Sequence, residues 1–177
     1  MLAQLPLLLD NETVMARLVQ ETAWRAEAIT LWGKAVMQPR LTAWQGEADY
    51  TYSGLRLTAQ PYSSLVAQIK DVVESVTGRR FNSVLLNYYR NERDSMGMHS
   101  DDEKELGPQP AIASVSFGAT RTFILKHKRT KQTVRLDLPP GSLLLMSGNT
   151  QANWQHGINK STRALGARVN LTFRFIC

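Results

Sequence analysis

Hydrophobic residues recur at helical spacing in two early stretches and alternate with polar ones through most of the later chain. Asp10 or Asn11 is placed to cap a helix that runs through Val14, Leu18 and Val19 towards Ala23. Pro61 is placed to open a second, with Leu65, Val66, Ile69, Val72, Val73 and Val76 on one face and Gly78 as its stop. From Val84 onward the texture changes to short strand-like runs: Val84–Tyr89, Ile112–Phe117, Thr122–Lys126, Thr133–Leu138, Ser142–Met146 and Ala167–Phe175. Turn residues such as Asp94, Gly97, Gly118, Pro139-Pro140-Gly141 and Gly148 punctuate them. Even spacing of short strands is the signature of a double-sheet β barrel. No repeat, low-complexity tract or linker divides the sequence, so residues 1–177 read as one domain, about 1–83 carrying the helices and about 84–177 the β core.

The last run is the most informative. In an extended strand Arg168, Asn170, Thr172 and Arg174 share one face, while Val169, Leu171, Phe173 and Phe175 share the other, which would be core. The two arginines stand about 20 Å apart along the strand, a distance that two long side chains leaning inward close onto one short dicarboxylate. Arginine suits that task because its planar fork binds carboxylates bidentately. The plain alternative is an amphipathic edge strand with two surface arginines.

Composition narrows the setting. Hydrophobic content of 43% and charged content of 20% are ordinary for a globular chain able to bury a real core. The net charge of +6 and pI near 9.7 favour an anionic partner, nucleic acid first. A single cysteine, Cys177, allows no disulfide within the chain and fits a reducing compartment. The apolar start, Leu2 to Leu9, lacks a basic flank and a cleavage-like site, and no stretch approaches the roughly 20 apolar residues of a membrane span. The expectation is a cytoplasmic monomer with no membrane partner.

Candidate chemistry sits upstream of the arginine strand. His99-Ser100-Asp101 places an imidazole and a carboxylate two residues apart, on one side of an extended segment, and His156 lies further along. Two imidazoles and one carboxylate on one face of an iron ion form the facial triad of non-haem Fe(II) oxygenases. Alone the H-x-D pattern is weak. Asp101, Asp102, Glu103, Lys104 and Glu105 also read as a solvated charged run, and His156, after Trp154, as a core or edge histidine. The densest basic run, Lys126 to Lys131, reads either as a solvated hairpin turn or as a phosphate grip through Lys128, Arg129 and Lys131; its His127 is not read as a ligand.

With these motifs in place the chain resembles the AlkB family of iron and 2-oxoglutarate-dependent dioxygenases, closest to the members that act on alkylated duplex DNA. The resemblance runs from about Leu31 to Phe175 and is carried by Phe81 to Tyr89 (FNSVLLNYY), His99 to Glu103 (HSDDE), Ile112 to Ala119 (IASVSFGA) and Arg168 to Arg174 (RVNLTFR). It implies a mainly β fold, a double-stranded β-helix or jelly roll, with N-terminal helices and a nucleotide-recognition lid. It further implies that His99, Asp101 and His156 hold Fe(II) and are catalytic, and that Asn87, Tyr89, Arg168 and Arg174 bind 2-oxoglutarate, with Asn170 and Thr172 lining that pocket. Leu31-Trp32-Gly33-Lys34 resembles a hairpin that pushes an aromatic side chain into the duplex where the damaged base leaves, although phenylalanine is more usual than Trp32. Tyr50 and Tyr52 resemble residues that contact the flipped base, and Asp102 and Glu103 follow the metal motif at positions used near the base edge.

The implied reaction couples decarboxylation of 2-oxoglutarate, with O2 as second co-substrate, to hydroxylation of an N-alkyl carbon on 1-methyladenine or 3-methylcytosine in DNA. The unstable hemiaminal then releases an aldehyde. Duplex DNA is the expected substrate, with single-stranded DNA or RNA as alternatives. A protein or small-molecule hydroxylase with the same iron centre is the competing enzyme, and a DNA-binding module with an inactive metal centre the competing non-enzyme.

Overall fold

The computed structural model describes the chain except for residues 32, 53 and 54 and the side chains of 30, 31, 50–52, 55 and 56. Helix α1 (Asn11–Glu21) starts where Asp10 accepts the Thr13 N–H at 2.9 Å, and it ends two residues short of Ala23 because Thr22 is extended. Helix α2 (Ser64–Thr77) is capped by Ser63 and stopped by Gly78 at φ +63°. Pro61 therefore does not open it; a hydroxyl that accepts the Val66 N–H fixes the start better than a preset φ. Val76, expected on the apolar face, is exposed, and the buried stripe is Leu65, Val66, Ile69 and Val73.

Thirteen strands are described: β1 (Ala28–Leu31), β2 (Lys34–Met37), β3 (Leu41–Gly46), β4 (Tyr50–Tyr52), β5 (Leu55–Leu57), β6 (Ser83–Tyr89), β7 (Met96–His99), β8 (Ile112–Gly118), β9 (Arg121–His127), β10 (Thr133–Leu138), β11 (Leu143–Met146), β12 (Trp154–Ile158) and β13 (Arg168–Arg174). A four-residue helix, α3 (Thr150–Asn153), leads into β12. One antiparallel sheet has the order β11-β8-β13-β6-β3 and the other β10-β9-β12-β7, the two-layer arrangement of a jelly roll. Among the described residues, β1 pairs only with β2 and β4 only with β5. No helix among the described residues is long and apolar enough to cross a membrane.

Two cores divide the strand faces. Val14, Leu18, Leu65, Ile69 and Val73 from the helices pack against Val84, Leu86, Val115, Val169, Leu171 and Phe173 on the outer face of the five-stranded sheet. Leu85, Tyr89, Met96, Ile112, Phe123, Met146 and Ile158 fill the space between the sheets. Strand β13 lies in the middle of its sheet, with the helices on one face and the second sheet facing the other, and all seven residues are buried. That excludes the surface edge-strand reading. It also corrects Phe175, which lies beyond the strand and is 49% exposed rather than core.

Candidate active site

Strands β7 and β12 are antiparallel neighbours, and His99 stands directly opposite His156 in their register. Their rings lie 4.4 Å apart, so topology brings together two residues far apart in sequence. Gly157 makes the approach possible: a Cβ there would lie 2.8 Å from the Met96 carbonyl oxygen. Asp101, just past β7, is fully buried and faces both rings, with Oδ1 3.9 Å from His99 Nε2 and Oδ2 3.5 Å from His156 Nε2.

The ring nitrogens are differentiated. His99 Nδ1 lies 2.9 Å from the Gly97 carbonyl oxygen, which can only accept, so Nδ1 carries the hydrogen and Nε2 the lone pair. His156 is stacked against Phe123 at 5.2 Å. One ligand atom from each of His99, Asp101 and His156 lies within 4.8 Å of the others, a spacing that small side-chain adjustments close onto one ion. The fit to a divalent metal is supported by Asp101 Oδ2, buried and without a hydrogen-bond partner among the described residues.

Electrostatics keep Asp101 and His99 in their ligating forms. Burial alone would push the Asp101 carboxyl up, but Arg174 and the two imidazoles hold it far below the usual carboxylate range. Burial, reinforced by His156, pushes His99 down to about 4, so its imidazole is neutral at physiological pH. Arg174 donates from Nη2 to Asp101 Oδ1 at 2.7 Å, which puts this arginine beside the acid ligand.

Arg168 stands at the other end of the same strand face. It is 1% exposed, donates Nη2 to Ser116 Oγ at 2.9 Å, and packs its guanidinium on the Tyr89 ring at 5.1 Å. Its Nε and Nη1 are buried without hydrogen-bond partners among the described residues. Burial disfavours its charge. Donors of this kind cost about 1–3 kcal/mol each when unmet, so the site is built for an anion. Asn87, Tyr89, Asn170, Thr172 and Arg174 line the same cavity as Arg168 and the three metal-type ligands.

Sequence reasoning did not find the residues that fix this lining. Arg40, buried in the bend before β3, donates Nε to Asn87 Oδ1 at 2.8 Å; because arginine only donates, Asn87 Nδ2 is the amide atom left for a ligand. Ser114 and the Val115 carbonyl accept from Asn170 Nδ2, and Thr172 donates to Asn170 Oδ1. Arg121 joins three main-chain carbonyls, of Asn91, Asp94 and Asn159, behind the Tyr89 ring. These contacts join residues up to 56 positions apart or rest on a lone serine, and neither leaves a local pattern.

Of the residues expected to meet nucleic acid, Gly33, Lys34, Asp102, Arg129 and Lys131 are exposed. Leu31 pairs with Lys34 across the β1–β2 turn, where Gly33 takes φ +75°; Lys34, Val36 and Met37 are exposed, and Trp32 lies outside the described residues. Tyr50 and Tyr52 form β4, opposite Leu57 and Leu55, and their side chains also lie outside the described residues. Asp102 is exposed and Glu103 half-buried. In the β9–β10 turn Arg129 and Lys131 are exposed, whereas Lys128 donates to the Gln151 carbonyl at 2.9 Å and pairs with Asp102 at 3.4 Å. His127 Nδ1 accepts from the Arg129 and Thr130 N–H groups and its ring meets Trp154 edge-on at 5.0 Å, so it shapes the turn and takes no part in the triad.

Residues 10–174 match the family model described as the 2OG-Fe(II) oxygenase superfamily. The chain is 42% identical over 177 residues to alpha-ketoglutarate-dependent dioxygenase alkB homolog 3 of Homo sapiens, covering 94% of this chain and 62% of that protein. It is 43% identical over 180 residues to DNA oxidative demethylase ALKBH2 of Mus musculus, covering 94% and 75%. The chain thus spans less than two thirds of the Homo sapiens alkB homolog 3 it matches. A solved structure described as "The structure of OsALKBH1" superposes with a TM-score of 0.64 at 16% identity, covering 93% of this chain and 92% of that one, a likeness of fold.

Proposed function

The chain belongs to the AlkB family within the 2OG-Fe(II) oxygenase superfamily, and from that premise we propose that it removes N-alkyl groups oxidatively from 1-methyladenine and 3-methylcytosine in DNA. The observation that carries this reading is the meeting of a His99–Asp101–His156 donor set with the buried Arg168 guanidinium, two of whose donors have no hydrogen-bond partner among the described residues, in one cavity between two sheets.

His99, Asp101 and His156 would hold Fe(II), and Arg168 the distal carboxylate of 2-oxoglutarate. When bound, iron and the 2-oxo acid activate O2 and supply the oxidant that hydroxylates the alkyl carbon. The protein's own contribution is placement. An anion on Arg168 Nε and Nη1 relieves the cost of burying that cation, which makes co-substrate binding favourable at one orientation. Tyr89 packs on the guanidinium and holds its plane, Asn87 offers Nδ2 to the co-substrate, and the Asn170–Thr172 pair forms the polar floor. Arg174 keeps Asp101 ionised, and therefore ligating, throughout.

On the nucleic-acid side, Trp32, which falls between β1 and β2 in sequence, would fill the gap left by an extruded base, with Gly33 and Lys34 following it. Tyr50 and Tyr52 stack on that base, Asp102 and Glu103 face its edge, and Arg129 and Lys131 grip phosphates. Alkylated pairing edges weaken a base pair and make extrusion cheaper. We take duplex DNA as the preferred substrate of a monomeric enzyme, with residues 1–177 forming one catalytic domain.

The test is mass spectrometry of methylated oligonucleotides, duplex and single-stranded, DNA and RNA, after incubation with iron, 2-oxoglutarate and ascorbate. Loss of the methyl group from the duplex, matched by succinate and formaldehyde, is expected. Succinate release driven only by another substrate, with every oligonucleotide unchanged, would replace this reading with a protein or small-molecule hydroxylase. DNA binding without any succinate would reduce the protein to a binding module.

A further inference from the structure

Ser100 and Asp101, just past β7, are tied to the start of β12 and to α3, and Asp102 to the β9–β10 turn. Ser100 Oγ donates to the Trp154 carbonyl at 2.9 Å, the Asp101 N–H donates to Gln151 Oε1 at 2.9 Å, and the Asp102 carboxylate faces Lys128 Nζ at 3.4 Å. Lys128 Nζ also donates to the Gln151 main-chain carbonyl at 2.9 Å. Gln151 itself is 2% exposed, with Nε2 3.7 Å from Met146 Sδ, a residue that lines the metal-type cavity.

The geometry points to Gln151 as the positioning residue for Asp101, and to Lys128 as the strut that holds Gln151 rather than as a phosphate contact. Asp101 leaves the end of a strand, where no ladder hydrogen bond continues to fix its backbone. A buried amide oxygen on its N–H supplies that missing restraint, while Arg174 restrains the carboxylate from the other side. Gln151 lies in the helix α3 that runs directly into the strand of His156, so one short turn sets the spacing between the acid ligand and the second imidazole. Lys128 adds the third link. Its ammonium is committed to a main-chain carbonyl and a carboxylate, and a strong donor so placed locks the β9–β10 turn onto α3. Charge alone groups Lys128 with Arg129 and Lys131; its bonds to Gln151 and Asp102, outside the turn, separate it from Lys131, whose ammonium bonds within the turn.

This inference rests on the metal-site reading above and is independent of the nucleic-acid substrate. It is tested by titrating Co(II) into metal-free protein and following the visible ligand-field spectrum, with no co-substrate or DNA present. Wild-type protein should bind one Co(II), and Asp101→Ala should lose it; failure here overturns the metal site and the inference together. Gln151→Met keeps the volume and removes the acceptor. It should weaken Co(II) binding about 10–100-fold and alter the spectrum while the metal-free Tm stays near wild type. An affinity and spectrum equal to wild type would overturn the role of Gln151 with the metal site intact. Should that variant fold poorly, Lys128→Met is the second probe. It should weaken Co(II) binding less, in the same direction, and leave the salt dependence of DNA binding unchanged. A salt slope lowered by about one, with unaltered Co(II) affinity, would return Lys128 to the phosphate contacts.

Discussion

Strand β13 and the β9–β10 turn both carry closely spaced cations, and the structure treats them in opposite ways. Arg168 and Arg174 are 1% and 2% exposed, on the middle strand of a sheet covered on both faces. Arg174 is paired with Asp101, and Arg168 keeps two donors without hydrogen-bond partners among the described residues. In the turn, Lys128 and Lys131 donate to main-chain carbonyls, and Arg129 and Lys131 are exposed to water. A buried cation needs an anion because an unmet donor costs about 1–3 kcal/mol, whereas exposed ion pairs contribute about 0–1 kcal/mol. Burial therefore turns a pair of arginines into a statement about ligand chemistry; exposure leaves a basic run ambiguous.

The largest effect should come from removing the acid that joins the two functions of the interior. Asp101→Ala deletes a metal-type ligand and leaves Arg174 buried without its counter-charge, a loss of roughly 3–5 kcal/mol of stability and of all detectable succinate formation. Chemical denaturation and a succinate assay measure the two together, and retained turnover would remove Asp101 from the metal site. Next is the other end of the strand. Arg168→Met should raise the KM for 2-oxoglutarate about 10–100-fold, the worth of roughly 1.5–3 kcal/mol in charged hydrogen bonds, while Co(II) affinity in the absence of co-substrate stays at the wild-type level. An unaltered KM would break the contrast between the two cationic regions.

Acid should expose the same interior by another route. In metal-free protein the His99 imidazole is pushed down to about 4 by burial and by His156, against 6.5 when unfolded. Between these values the unfolded chain binds a proton that the folded one refuses, so stability falls as pH drops from about 6.5 towards 4. Thermal melts should show a Tm a few degrees lower at pH 5 than at pH 7.5, and His99→Gln should flatten that slope. The smallest effect belongs to the turn. Arg129→Met should reduce the log–log salt slope of DNA binding by about one, with no change in the KM for 2-oxoglutarate. A slope equal to wild type would make the turn a solvated one.

The same contrast decides what the sequence discloses. Alternation along Arg168–Arg174 and helical spacing through α2 are visible because each buried face imposes one residue class at a fixed period. His99, Asp101 and His156 were legible as ligand types, and the β7–β12 register places them together. Strands β7 and β12 were not legible, since Gly97, Gly157 and the site's own polar side chains interrupt any apolar alternation. Ser63 displaced Pro61 as the start of α2 because a side-chain acceptor outweighs a preset φ. Gln151 and Arg40 left no local signal: each reaches the site through a hydrogen bond to a residue about 50 positions away.

The most direct measurement is anomalous diffraction from crystals grown without oxygen in Fe(II) and 2-oxoglutarate. A single iron peak bounded by His99 Nε2, an Asp101 oxygen and His156 Nε2, with the distal carboxylate of 2-oxoglutarate on Arg168, is the expected result. Iron bound without any one of those three side chains, or a co-substrate carboxylate placed away from Arg168, would contradict it.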